Sequence, residues 1–219
     1  MTAAQRWVTL EGTNAVGKTR LAAQAAAVLG PDCVVLTELP DTDPDTLPGQ
    51  VVAALAGEHD PFLRTGHPLT ETFALLALAV RRREQPHGAS VIIEDRGSDS
   101  VAVYQALVVA DATGTEPYPI LRQLLAVADR WRPRADVTLL LRGDPAVCQT
   151  RWQQRAGRPL TADETDYLYR AAALYDRLAD DDPGRYLVVD LDKTTDQGAL
   201  GILTAACRPA PAATAGGAP

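Results

Sequence analysis

Lysine is nearly missing from this chain: only Lys18 and Lys193 occur, and arginine carries the rest of the positive charge. Cysteine is sparse too. Cys33, Cys148 and Cys207 lie far apart, which excludes a metal-type spacing or a disulfide framework and fits a reducing compartment. The three histidines, His59, His67 and His87, are scattered with no ligand spacing. No apolar run approaches the roughly 18 residues of a membrane span. The first residues lack the charged-then-apolar pattern of a signal peptide. A cytoplasmic setting without a membrane partner is therefore expected. Positive charge is not in excess: the net charge is -7, which excludes a sequence-independent grip on polymeric nucleic acid. A local basic pocket is still allowed. No internal repeat is visible.

What is present reads as a globular α/β chain. At 46% hydrophobic and 22% charged, the 219 residues can bury a sizeable core in one domain or two. Five apolar runs, at 7–10, 33–37, 91–94, 137–141 and 186–190, show no alternation. Such runs are strands buried on both faces. Helical segments at 17–29, 69–85, 100–112, 120–131, 145–156, 162–179 and about 195–207 separate them. Strands alternating with helices predict a five-stranded parallel sheet flanked by helices. Residues 39–50, with three prolines and repeated Thr-Asp turns, read as a loop. The domain is expected to span 1–207, and the Pro/Ala/Gly-rich stretch 208–219 to be a disordered tail.

The stretch "EGTNAVGKT" fits the G-x4-G-K-[ST] phosphate-loop pattern, with a strand before it and a helix after. Gly12 and Gly17 let the backbone wrap, so that the N–H groups of Thr13, Asn14, Ala15 and Val16 face phosphate oxygens. The following helix adds its dipole. Lys18 reaches the β- and γ-phosphates, and the Thr19 hydroxyl is placed to ligate Mg²⁺. The chain lacks the Asn-Lys-x-Asp run of a guanine-reading switch, which turns the reading from GTPase to kinase.

A kinase needs a second acid for Mg²⁺ and cations for the transferring group. Asp95 ends the third apolar run, where parallel sheets place their ligands, and Arg96 follows it. Residues 13–16 contain no arginine. Arg151 and Arg155 share one helix face at i, i+4, and Arg158 follows Gly157 in a possible lid at about 148–163. A plain surface role for any of these arginines is the competing reading.

These marks together resemble the thymidylate kinase and deoxynucleoside kinase branch of P-loop kinases. The resemblance runs from about residue 6 to 205. It rests on the EG-x4-GKT loop, Asp95-Arg96, Ser98-x5-Tyr104-Gln105, the arginine-rich lid and "YLYRAAALYDRL". It implies a P-loop NTPase fold with a short lid, ATP with Mg²⁺ as donor, a small nucleoside or nucleotide acceptor, and a homodimer. By resemblance, Asn14, Arg81, Tyr104 and Gln105 belong to the acceptor pocket.

The departures bear on the acceptor. Thymidylate kinases usually carry Asp-Gly where Asn14-Ala15 stands, and follow the second strand with an Arg-Glu-Pro run, where this chain has Thr37-Glu38-Leu39-Pro40. They usually carry Phe-x3-Arg where Ala77 and Arg81 stand. Glu38 would repel an anionic acceptor, or it could act as the general base on an acceptor hydroxyl. The expectation is phosphoryl transfer to a nucleoside or modified-nucleoside hydroxyl. A divergent thymidylate kinase acting on a monophosphate is the alternative, and a non-catalytic nucleotide-binding regulator is the alternative of another class.

Overall fold

The computed structural model describes residues 5–39, 45–56, 60, 62, 64, 66–85 and 87–208. In chain order it contains β1 (Arg6–Glu11), α1 (Lys18–Leu29), β2 (Cys33–Leu36), α2 (Leu47–Ala56) and α3 (Pro68–Glu84). These are followed by β3 (Val91–Asp95), α4 (Ser98–Thr113), α5 (Pro117–Trp131) and β4 (Val137–Arg142). The chain then forms α6 (Pro145–Ala156), α7 (Ala162–Asp181), β5 (Tyr186–Asp190) and α8 (Asp196–Ala206). None of the described helices is long and apolar enough to cross a membrane.

The five strands form one parallel sheet in the order β2-β3-β1-β4-β5. β1 lies at its centre, with Leu10 level with Asp95 of β3. The loops after β1 and β3 therefore leave the same sheet edge side by side, in the crevice where open parallel sheets bind ligands. The main core includes Val8, Leu10, Ile93, Leu139 and Leu141 from the strands, and Leu107, Leu121 and Leu178 from the helices. Local signals set several helix ends. Gly30 ends α1 with φ 81, and Thr161 and Glu164 form a reciprocal capping box at the start of α7.

One element departs from expectation. Residues 47–50, read as loop, form the first turn of α2, and the rest of this helix, to Ala56, lies outside the expected helical segments. Proline in a first helical turn costs no hydrogen bond. Leu55 of α2, with Val51 and Val52, packs on Leu75, Leu76 and Val101, and this burial outweighs the weak helix preference of Pro48-Gly49. Residues 40–44 and the expected tail from 209 onward lie outside the described residues.

Candidate active site

The phosphate loop is shaped by backbone that few residues tolerate. Gly12 has φ 131, and a Cβ there would sit 2.4 Å from the Leu141 carbonyl oxygen. Ala15 adopts φ 62, and Val16, 1% exposed, pins the loop into the core. No side chain caps the start of α1, so its first N–H groups are free for an anion. Lys18 Nζ donates to the carbonyls of Gly12 and Thr13, both at 2.8 Å. Burial, and then the Arg96 charge, bring the Lys18 ammonium down to about 7. A phosphate beside it would favour the charged form.

The Thr19 hydroxyl donates to Asp95 Oδ2 at 2.5 Å. Asp95 Oδ1 is buried and has no hydrogen-bond partner. A buried carboxylate oxygen without a partner costs free energy unless something binds it. A hydroxyl and a carboxylate side by side form a hard oxygen donor set that suits Mg²⁺. Among the described residues no group of three or more His, Cys, Asp or Glu could hold a metal ion. Thr19 and Asp95 are thus the two described side chains placed to hold such an ion.

Arg96 stands at the middle of the site in a left-handed conformation, φ 72. Its side chain donates to Asn14 Oδ1, lies 3.3 Å from Glu38 Oε2, and packs over the Tyr104 ring at 5.3 Å. Burial is the largest single influence and works against its charge, but Glu38, Tyr104, Tyr175 and Asp95 together outweigh it and hold the guanidinium above its ordinary value. The Tyr104 hydroxyl accepts from the Asn14 backbone N–H at 3.0 Å.

Two spaces meet here. A cleft of about 480 Å³ runs along Lys18 and Thr19 to Arg151 and Arg155. A smaller cavity, about 40 Å³, is lined by Glu38, Phe62, Leu75, Tyr104 and Gln105. Asn14 and Arg96 line both. Inside the cavity, Gln105 Oε1 accepts from Thr72 at 2.8 Å while its buried Nε2 has no partner. Phe62 stacks on Tyr104, with ring centroids 6.0 Å apart and planes 23° apart.

No family model matches the chain. It is 32% identical over 103 residues to a probable thymidylate kinase of Methanococcoides burtonii, an alignment covering 47% of this chain and 49% of that protein. A probable thymidylate kinase of Methanocorpusculum labreanum is 28% identical over 183 residues, covering 84% of this chain and 88% of the relative. The chain thus spans about half the length of the first relative and most of the second. The crystal structure of a thymidylate kinase from Ehrlichia chaffeensis superposes with TM-score 0.58 at 18% identity. It covers 91% of this chain and 96% of that one, and it establishes the shared α/β fold. In sequence this chain is similar to two proteins named probable thymidylate kinase, and in fold it is similar to a thymidylate kinase.

At this site most of the expected residues converge. Residues 12–19, Glu38, Asp95, Arg96, Tyr104 and Gln105 gather at the sheet edge, and Arg151 and Arg155 face the loop from α6. Two do not converge. Arg158 points away and is held by Glu164 at 2.6 and 2.8 Å, over the Trp152 ring. Arg81 lines neither space. Ala77, four residues earlier, faces a groove between α3 and α5 with Phe73 and Trp131. The inward faces of α3 are instead those of Thr72, Leu75 and Arg82. Glu38 is not a lone negative charge, because Arg96 pairs with it.

Sequence reading missed the part played by three residues near the site. Phe62 carries no motif, and Arg82 belongs to the 81–83 arginine cluster, in which Arg81 is the expected site residue. Glu11, fully buried beneath the loop, accepts from the Gly97 N–H at 2.9 Å and from the Ser100 and Tyr175 hydroxyls. Burial, and then Asp99, raise its carboxyl to about 8.

Proposed function

We propose that the chain is a phosphotransferase that moves the γ-phosphate of ATP to a nucleoside monophosphate. The observation that carries this is the shared wall: Asn14 and Arg96 line both the phosphate-loop cleft and the small cavity beyond it. A donor in the cleft and an acceptor in the cavity would meet at the Arg96 guanidinium. The curated relatives, both named probable thymidylate kinase, favour the monophosphate over the uncharged hydroxyl expected from sequence.

In this reading the α1 N-terminus and Lys18 hold the donor phosphates. Thr19 and Asp95 would hold Mg²⁺, which would neutralise charge on the donor phosphates. Arg151 and Arg155 add positive charge from α6, and the segment 148–163 serves as the lid that excludes water. Arg96 faces the attacking phosphate oxygen. Phe62 and Tyr104 present aromatic faces to the base, and the unpartnered Gln105 Nε2 donates to an acceptor atom on it. The expected homodimer is supported by exposed Phe73 and Trp131 on the α3–α5 flank. Light scattering across concentration tests it, and a monomer at every concentration removes it.

A second reading rests on Glu38. It is one of the two charged groups among the described cavity-lining residues, and its pairing with Arg96 leaves the cavity nearly neutral. That suits a nucleoside hydroxyl, with Glu38 taking the proton. The experiment is ADP release with ATP and Mg²⁺ against monophosphates and nucleosides, on the wild type and Glu38→Gln. A monophosphate acceptor needs no base, so turnover should survive Glu38→Gln within about tenfold. Turnover confined to nucleosides and lost by about 10²-fold or more in Glu38→Gln supports the second reading. Nucleotide binding without transfer to any acceptor leaves the regulator.

A further inference from the structure

Arg82 lies in α3, 2% exposed, and lines neither of the two spaces. Its guanidinium is nonetheless bonded to both charged residues of the acceptor cavity through their backbones. Nη1 donates to the Glu38 carbonyl at 2.7 Å, and Nη2 donates to the Arg96 carbonyl at 3.1 Å. Nε donates to Glu94 Oε1 at 2.9 Å, and Glu94 is itself fully buried in β3. Glu38 follows β2 and Arg96 follows β3, so one side chain ties two separate loops to the sheet and to α3. Leu75, two turns earlier on the same helix, lines the acceptor cavity. The planar fork of arginine is what makes this possible. A lysine ammonium at the end of a flexible stem has no fixed fork to span two carbonyls and a carboxylate.

Arg132 supplies a matched comparison. It is 3% exposed and binds the other carboxylate oxygen of the same Glu94. Its Nε donates to the Ala79 carbonyl at 3.0 Å, and among the described residues it makes no hydrogen bond to Glu38 or Arg96. Both arginines therefore neutralise Glu94, and Arg82 alone of the two reaches the site loops.

We propose that Arg82 is a positioning residue that sets the placement of Glu38 and Arg96 across the acceptor cavity. The turnover arm of the test rests on the kinase reading above, and the exchange arm does not. Arg82→Met and Arg132→Met each take one cation from Glu94, so both should lose stability to a similar degree. Arg82→Met alone should lower kcat/KM for the acceptor, by about 30-fold or more. Binding of a non-hydrolysable ATP analogue should stay within about twofold, because α1 and Lys18 are untouched. Amide exchange at 37–39 and 95–98 should quicken in Arg82→Met and not in Arg132→Met. Arg82→Lys, which keeps the charge beside Glu94, should recover melting temperature while leaving acceptor turnover low. Equal losses of turnover in both methionine variants, or unchanged exchange in the two loops of Arg82→Met, would overturn the proposal. So would full rescue of turnover by Arg82→Lys. A wild type that transfers no phosphate defeats the kinase reading, and the exchange comparison still decides the role of Arg82.

Discussion

Thr19 and Asp95 are joined by a 2.5 Å hydrogen bond that links the start of α1 to the end of β3. The carboxylate oxygen of Asp95 not used in that bond is buried and unpartnered. A hydroxyl that already donates to a carboxylate keeps its lone pairs for a cation, and the spare Asp95 oxygen lies on the same group.

Asp95→Asn keeps the shape of the side chain and removes the charge. Its turnover is expected to fall by about 10²-fold or more, with a higher Mg²⁺ concentration at half-maximal rate. ADP release measured across an Mg²⁺ titration checks this. An unchanged Mg²⁺ requirement would mean that Asp95 serves only as a partner for Thr19.

Phe62 offers a test of the acceptor cavity that leaves the phosphate loop alone. Its ring is 5% exposed, stacks on Tyr104, and carries Arg64 at 5.7 Å from its centroid. Thymidylate kinases usually place a stacking aromatic where this chain has Ala77, which here faces the α3–α5 groove. Phe62→Ala is expected to raise the acceptor KM by about tenfold, the loss of one aromatic contact, while the KM for ATP stays within about twofold. Steady-state kinetics with each substrate varied in turn separate the two. Equal changes in both would place Phe62 in general stability.

The contrast between Arg81 and Arg82 shows where sequence reading stops. Three consecutive arginines at 81–83 differ by about 100° each around the helix, and composition cannot say which faces inward. Packing decides: Arg82 meets Glu94, and Arg83 lies over the Trp7 ring at 4.2 Å. Phe62 was hidden for another reason, since it sits between helices in a segment without periodicity. The whole of α2 was hidden because its signals are tertiary, namely Val51, Val52 and Leu55 against Leu75. By contrast, the phosphate loop has a fixed spacing set by backbone geometry, and Asp95 ends an uninterrupted apolar strand. Both were readable from local pattern alone, as were the five strands.

Glu11 makes stability depend on pH with a defined sign. Burial, and then Asp99, raise its carboxyl from 4.5 to about 8. Between those values the folded chain holds a proton that the unfolded chain has released. The stabilisation is complete below pH 4.5 and falls as pH rises toward 8, with a slope of about 1.4 kcal/mol per pH unit inside the window. Glu11→Gln mimics the neutral acid and removes that slope. Urea unfolding of both proteins at pH 5, 6 and 7 is expected to show the wild type losing stability relative to the variant at each step. Parallel profiles would mean that Glu11 is ionised in the folded state.

Gly12 and Gly17 separate two costs that a phosphate loop imposes. Both have positive φ, 131 and 119, where an L side chain is strained. An added Cβ at Gly17 meets nothing within 4 Å, whereas at Gly12 it meets the Leu141 carbonyl oxygen at 2.4 Å. That carbonyl cannot yield cheaply, because Leu141 lies inside β4 and pairs with Val189 of β5. Gly17→Ala should therefore cost backbone strain alone, about 1–2 kcal/mol. Gly12→Ala should cost that strain plus displacement of a sheet backbone, about 3–5 kcal/mol in total. At about 2–4 °C per kcal/mol for a chain of this size, Gly12→Ala is expected to melt about 4–12 °C below Gly17→Ala. Thermal unfolding followed by circular dichroism checks the ordering. Equal melting temperatures would show that β4 moves aside freely and that the loop does not depend on close contact with it.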